Sequence, residues 1–301
     1  MAPVIRVNGD NADCCHGSVV LDWPKSLWNG MMLGGTIAAL FYASLGSVIL
    51  FCVLTYLTLL VGHSVGMHRM MIHRSFKARR WLSRLLIYIG TIVGVAGPSG
   101  IIGIHDTRDW AQRQPKCHDF FNHNRSFLRD LTWNLFYRFE WERPPRITIE
   151  PELVHDPFVR WLDATWRLQQ IPVAMLLFWA GGLHFVLWGV CARVFVSAAG
   201  HWTVTYFCHN PGPGRWHVTG AGVQASNLPG LGFLTYGECW HNNHHAFPES
   251  ARIGLDVGQT DPAWWLIAAM AKAGWVYDVG LPRRQDQRSD LSERPPYPSI
   301  P

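Results

Sequence analysis

Apolar residues gather in two long uncharged runs, and the first extends from Leu27 to Val61 without a charged side chain. Wound as one α-helix it would reach about 50 Å, whereas the hydrocarbon core of a bilayer is about 30 Å thick. Two spans joined by a turn near Ser44-Leu45-Gly46-Ser47 fit better. The second run, Ile171 to His209, has Arg193 as its only formal charge and offers a turn at Gly181-Gly182. The pattern predicts an all-α polytopic membrane protein with two transmembrane hairpins, its four spans at about residues 28–45, 47–66, 169–187 and 189–208. Arg193 is costly in hydrocarbon and is expected to face protein, water or the interface in a structural role.

A third uncharged stretch, Leu85 to Ile104, carries Gly90, Gly94, Gly97, Pro98, Gly100 and Gly103. Were it to cross the bilayer, His68 and His73 would lie on the opposite side from His105. It is therefore expected to be interfacial or re-entrant, at about residues 85–104, which Gly and Pro permit where protein covers the backbone. A polar N-terminal segment, 1–27, and an irregular tail, 282–301, flank one domain at 28–281. The tail is rich in charge and proline, as in Arg283-Arg284-Gln285-Asp286 and Arg294-Pro295-Pro296.

Charge sets the orientation. Arg69, Arg74, Lys77, Arg79, Arg80 and Arg84 follow the first hairpin, while neither hairpin turn holds Lys or Arg. The positive-inside tendency puts both turns outside and the intervening histidines on the cytoplasmic side of an integral, multi-pass membrane protein. A charged fraction of 16% and 16 tryptophans agree with a membrane setting, and most of the tryptophans read as an interfacial belt. The net charge of +5 fits attraction to anionic membrane lipid, and no basic, aromatic-interleaved pattern points to nucleic acid. The seven cysteines form no disulfide framework. Cys14-Cys15-His16 is expected to be a solvated, disordered terminus rather than a metal site.

Histidines carry the chemistry. In Gly237-Glu238-Cys239-Trp240-His241-Asn242-Asn243-His244-His245, three imidazoles at i, i+3 and i+4 share a helical face and can point to one place. Upstream, His63, His68 and His73 recur every five residues, which turns an α-helix by about 140° per step. That helix must end, bend or receive other ligands. Between them lie His105-Asp106-Thr107-Arg108-Asp109 and the pair His118 and His123. Imidazole suits iron, zinc, copper and nickel alike.

His68-Arg69-Met70-Met71-Ile72-His73 and its basic sequel resemble the first histidine box of the membrane-bound fatty acid desaturases of the acyl-CoA delta-9 type. Gly237-Glu238 with His241-Asn242-Asn243-His244-His245-Ala246-Phe247-Pro248 resembles the third box, and Trp202 to His209 is similar to a segment that supplies one further ligand. The second box departs from the family pattern, which has histidines at its first, fourth and fifth positions. Arg108 has no lone pair to offer, and Asp109 can serve as a carboxylate ligand.

The resemblance implies an oxygen-dependent fatty acyl desaturase, an oxidoreductase of fatty acid biosynthesis. Two iron ions (Fe2+) would be held on a cytoplasmic helical cap, with O2 as co-substrate. It implies the metal ligands His68, His73, His105, His209, His241, His244 and His245, with His63, Asp109, His118 and His123 available to complete the set. Thr205 stands where the family often has an asparagine that holds a metal-bound water. The substrate would be a fatty acyl group on coenzyme A, acyl carrier protein or phospholipid. No haem or flavin fingerprint is present, so electrons are expected from a separate donor protein. Ligand type does not separate desaturation from hydroxylation. A non-enzymatic metal-binding membrane protein is the competing class, supported by the altered second box and opposed by the two dense ones.

Overall fold

In the computed structural model, which describes residues 3–283, 288–295 and 297, the first apolar run forms two helices joined by a short turn. Helix α1 spans Trp23–Phe41, capped by Asp22, whose side chain accepts from Lys25 N. Helix α2 spans Leu45–Leu57 and begins with a reciprocal cap between Ser44 and Ser47. The winding then loosens, and Thr58–Ile72 is a π-helix that continues α2 without a break. The N–H of His73 donates to His68 O, five residues back, at 3.0 Å. Winding by i→i+5 bonds brings residues five apart nearly into line, so the helix neither ends nor bends here but widens.

The π segment is gripped by α3, Arg80–Ile92. A Cβ on Gly66 would stand 2.7 Å from Leu86 O, and Gly62 abuts the Ile89–Gly90 backbone more closely still. After a break at 93–97, helix α4 (Pro98–Arg113) returns beside the π segment, so residues 85–104 are two helices and a turn. Short helices α5 (Asp119–Asn122), α6 (Phe127–Phe136), α7 (Pro151–Val154) and α8 (Pro157–Thr165) follow.

The second apolar run gives α9 (Gln170–Gly181), then α10 (Leu183–Val186), a π turn at Leu187–Ala192 and α11 (Arg193–Cys208) as one continuous rod. The hairpin turns at Gly182, with φ 75°, within the Gly181-Gly182 pair that the sequence offers. Glycine enters that region without steric cost, and the residues after it resume helix at once. Arg193 is buried and donates to Gly189 O, Ile92 O and Gln170 Oε1 at 2.6–2.7 Å, a structural role. The chain closes with α12 (His241–Ala246) and α13 (Pro262–Lys272).

Two rods, Leu45–Ile72 and Leu183–Cys208, are long and apolar enough to cross a membrane, and α9 is a shorter apolar helix. Leu45, Ile49, Val53 and Leu57 are all exposed at intervals of four, an outward apolar face.

The fold is mostly helical, but the all-α expectation misses four two-stranded antiparallel ladders. These pair β1 (Val7–Asn8) with β5 (Arg146–Ile147), β2 (Gly17–Leu21) with β4 (Tyr137–Trp141), β3 (Lys77–Ala78) with β7 (Val276–Tyr277), and β6 (Trp216–Val218) with β8 (Leu291–Glu293). Two of them order the terminus that was expected to be solvated. Cys14 is buried, its Sγ 3.1 Å from Lys116 O, against Phe120, Phe121 and Phe139. Its setting is an aromatic core. In the tail, β8 is likewise ordered by its partner strand, whereas Arg284, Gln285, Asp286 and Pro296 lie outside the described residues.

Candidate metal centre

The returning α4 and the buried α12 bring the histidine clusters together. His68, His73, His105 and His244 place their ligand nitrogens within 4.8 Å of one another, and so do His209, His241 and His245. In the first group, ring centroids lie 4.4 Å apart for His73 and His244 and 4.7 Å for His73 and His105. In the second, His241 and His245 are 4.6 Å apart and His209 and His241 4.8 Å.

Helix α12 does not point its three imidazoles at one place. His241 and His245 share a face, while His244, about 100° round the helix from its neighbour, joins the other group. The two intervening asparagines anchor this helix from below. Asn242 accepts from Trp216 N and donates to Trp216 O and Ala225 O, and Asn243 donates to Ile253 O.

Hydrogen bonds at the outer ring nitrogens turn the inner ones toward each other. Glu238 Oε2 lies 2.7 Å from His68 Nδ1, Asp106 Oδ1 3.0 Å from His105 Nδ1, and Thr205 O 2.8 Å from His209 Nδ1. An Nδ1–H donor leaves Nε2 as a bare lone pair. Accordingly, His73 Nε2 approaches His68 Nε2 at 3.2 Å and His105 Nε2 at 3.3 Å, and His245 Nε2 approaches His241 Nε2 at 3.1 Å. His209 Nε2 is buried with no partner among the described residues. A proton shared between one facing pair still leaves other inner lone pairs unsatisfied, His209 Nε2 among them, and a cation would take these up. The donor set therefore fits a metal ion in each group.

Burial pushes His73, His241, His244 and His245 far below the ordinary imidazole range, with neighbouring imidazoles adding to the effect, which favours neutral rings able to offer a lone pair. Burial alone would raise the Glu238 carboxyl, but its contacts with His68, Arg69 and Ser64 hold it well below the carboxylate range. Sequence reasoning missed Glu238 and Asp106 as orienting carboxylates. Both stand beside histidine-box residues, and a carboxylate behind a ligand imidazole is a recurrent arrangement.

Of the additional ligand candidates, Asp109 alone reaches a group. Its Oδ1 lies 3.7 Å from His245 Nε2, and its other oxygen 3.9 Å from Arg113 Nε. His118 caps α5, its Nδ1 accepting from Phe120 N. His123 stacks on His209 at 5.3 Å, but its Nε2 accepts from Arg108 at 2.8 Å, which occupies the lone pair a metal would need. His63 instead faces His201, a residue outside the sequence-based set.

Both groups border a cavity of about 290 Å³, walled by apolar side chains that include Leu59, Ile72, Ile101, Ile104 and Trp202. Among the tryptophans read as an interfacial belt, Trp179 is exposed and Trp202 lines this cavity.

Buried imidazoles in two groups on the wall of an apolar cavity fit a histidine-ligated metal centre that serves a hydrocarbon substrate. Comparison with known proteins agrees. A model of the fatty acid desaturase family matches residues 43–280, and the chain belongs to that family, an oxidoreductase acting on fatty acyl chains. It is 30% identical over 271 residues to an sn-1 stearoyl-lipid 9-desaturase of Anabaena variabilis, covering 87% of this chain and 94% of that one. It is 31% identical to an sn-2 palmitoyl-lipid 9-desaturase of a Nostoc species, covering 73% and 76%. An acyl-CoA 5-desaturase of Anemone leveillei is 28% identical, over 75% and 70%.

Proposed function

We propose that this desaturase acts on an acyl chain esterified to a membrane lipid, with two iron ions, molecular oxygen and electrons from a separate donor protein. The convergence of seven imidazoles in two groups beside one apolar cavity carries the reading. The names of the stearoyl-lipid and palmitoyl-lipid relatives support a lipid-bound substrate. His68, His73, His105 and His244 would hold one ion, and His209, His241 and His245 with Asp109 the other. Bound there, iron with dioxygen supplies the oxidising power needed to remove hydrogen from two neighbouring unactivated methylenes.

The chain's own residues perform the remaining tasks. Glu238, Asp106 and the Thr205 carbonyl fix three ligand rings so that their lone pairs face inward. Leu59, Ile72, Ile101, Ile104 and Trp202 present a dry wall that positions the chain and excludes water. The polypeptide crosses the membrane four times within one domain at 28–281, through α1, the α2–π rod, α9 and the α10–α11 rod. The histidine groups face the cytoplasm, beside Arg74, Lys77, Arg79 and Arg80.

Gas chromatography with mass spectrometry of total fatty acids from cells expressing the chain and a suitable electron donor tests this reading. A new unsaturated acid is expected, lost with His244→Ala and reduced with Asp109→Ala. An alcohol in its place would redirect the assignment to hydroxylation, and no product from metal-loaded protein would overturn it.

A further inference from the structure

The metal-ligand groups occupy only one end of the cavity. From His68 the wall runs back along the π segment through His63 and Leu59 to Thr55. From His209 it runs back along α11 through Thr205 and His201 to Val196. His201 precedes His209 by about 12 Å of helix axis. Across this deeper part His63 and His201 face each other, ring centroids 4.9 Å apart and planes at 80°. Neither ring hydrogen-bonds to any described residue, and each keeps part of its surface open. Further along the same wall, Thr55 Oγ1 is buried without a partner among the described residues.

Two hydrogen-bonding rings are out of place in a channel for plain hydrocarbon. A neutral imidazole offers one N–H donor and one acceptor nitrogen, and an alkyl chain satisfies neither. The rings hold no backbone or side-chain group in position, so apolar residues could fill the same space without that loss. Neither belongs to a metal-ligand group, and Glu238, the nearest carboxylate to this end, is engaged by His68, Arg69 and Ser64. A hydroxyl, which donates and accepts at once, can bridge two imidazoles that an alkyl chain leaves unpaired.

We propose that His63 and His201 form a polar specificity site for an acyl chain bearing an oxygen function, a hydroxyl above all, on the part lying beyond the metal-ligand groups. The inference rests on the desaturase reading and narrows its substrate class. A site built to hydrogen-bond a hydroxyl discriminates strongly against the chain that lacks one, by roughly tenfold to a hundredfold here.

The test uses the full-length, metal-loaded protein in lipid nanodiscs. The probes are phosphatidylcholines carrying either stearoyl chains or monohydroxystearoyl chains, with the hydroxyl near the ester, at mid-chain or near the methyl end. Binding is measured by competition against radiolabelled stearoyl lipid, and turnover by product analysis. At least one hydroxylated lipid should bind about tenfold tighter than the stearoyl lipid. The His63→Leu/His201→Leu double variant should bring that ratio to about one, and His201→Gln, which keeps a donor and an acceptor, should preserve it. Should the double variant fail to accumulate, each single leucine variant must lower the ratio.

Equal or weaker binding of every hydroxylated probe by the natural chain would overturn the proposal, as would a preference that survives both leucines. A binding preference without a double bond in any probe would leave the specificity site standing and remove the desaturase reading instead.

Discussion

Arg108 donates to His123 Nε2 across 2.8 Å, and the same imidazole presents Nδ1 to Asp130 Oδ1 at 3.0 Å. Both ring nitrogens are thus engaged inside the protein, and Arg108 rests over the Trp202 ring at 4.6 Å. His123→Ala should leave the metal content of purified protein close to that of the natural chain, whereas His209→Ala should lower it. Elemental analysis of both variants decides the point. The same His123→Ala change should destabilise the fold by about 1–3 kcal/mol, because Arg108 and Asp130 each lose a buried partner.

Glu238 and Asp106 orient the His68 and His105 rings, and through them would act on a bound metal. Replacing Glu238 by Gln removes the carboxylate from behind His68, and metal affinity should fall about 10- to 100-fold. Chelator competition monitored by cobalt absorption reads this without reference to turnover. Unchanged affinity would show that His68 is held by packing alone.

Arg69 joins the first histidine box to the cap of the last long helix. Its guanidinium meets both oxygens of Asp261, at 2.9 and 3.1 Å, and both side chains are almost wholly buried. Asp261 also caps α13 through Trp264 N and accepts from Ile253 N and Gly254 N. Asp261→Ala should therefore cost about 3–5 kcal/mol, seen as a lower thermal unfolding midpoint in detergent. An exposed pair such as Lys77 with Asp278, broken in the same way, should leave the unfolding midpoint almost unchanged.

Burial raises the Cys117 thiol to about 12, with Cys14 and Cys15 adding to the effect, and burial beside Cys15 raises Cys14 to about 11. A raised thiol pKa means less thiolate at any given pH, so at pH 8 both residues are held in the weakly nucleophilic thiol form. Alkylation of both residues, followed by peptide mass mapping, should stay slow at pH 8 and accelerate only as the pH climbs toward 11. Rapid labelling at neutral pH would instead mean that the N-terminal ladder opens in solution.

The apolar runs and histidine spacing were legible because each depends on residues near one another in sequence. The turn at Gly181-Gly182 was readable for the same reason, since the signal lies within a few positions. What stayed hidden depends on distant partners. Gly17–Leu21 became a strand because Tyr137–Trp141 pairs with it, and Cys14 is buried by phenylalanines more than a hundred residues away. His201 carried no local signal, since its meaning comes from His63 across the cavity. The division of α12 between two ligand groups was equally out of reach, because it depends on where α4 and α11 deliver His105 and His209.

The loosely wound Thr58–Ile72 segment couples the length of the first histidine box to the way its helix is coiled. A spacing of five lines up His63, His68 and His73 only under i→i+5 bonding, just as a spacing of four would under ordinary α winding. Deleting one residue between His68 and His73 would therefore be compatible with the site only if the segment tightened in the same step, and an insertion only if it loosened further. Gly62 and Gly66, pressed against α3, oppose either rewinding. The interval between these ligands is thus protected against insertion and deletion by the packing of a neighbouring helix as well as by the metal chemistry.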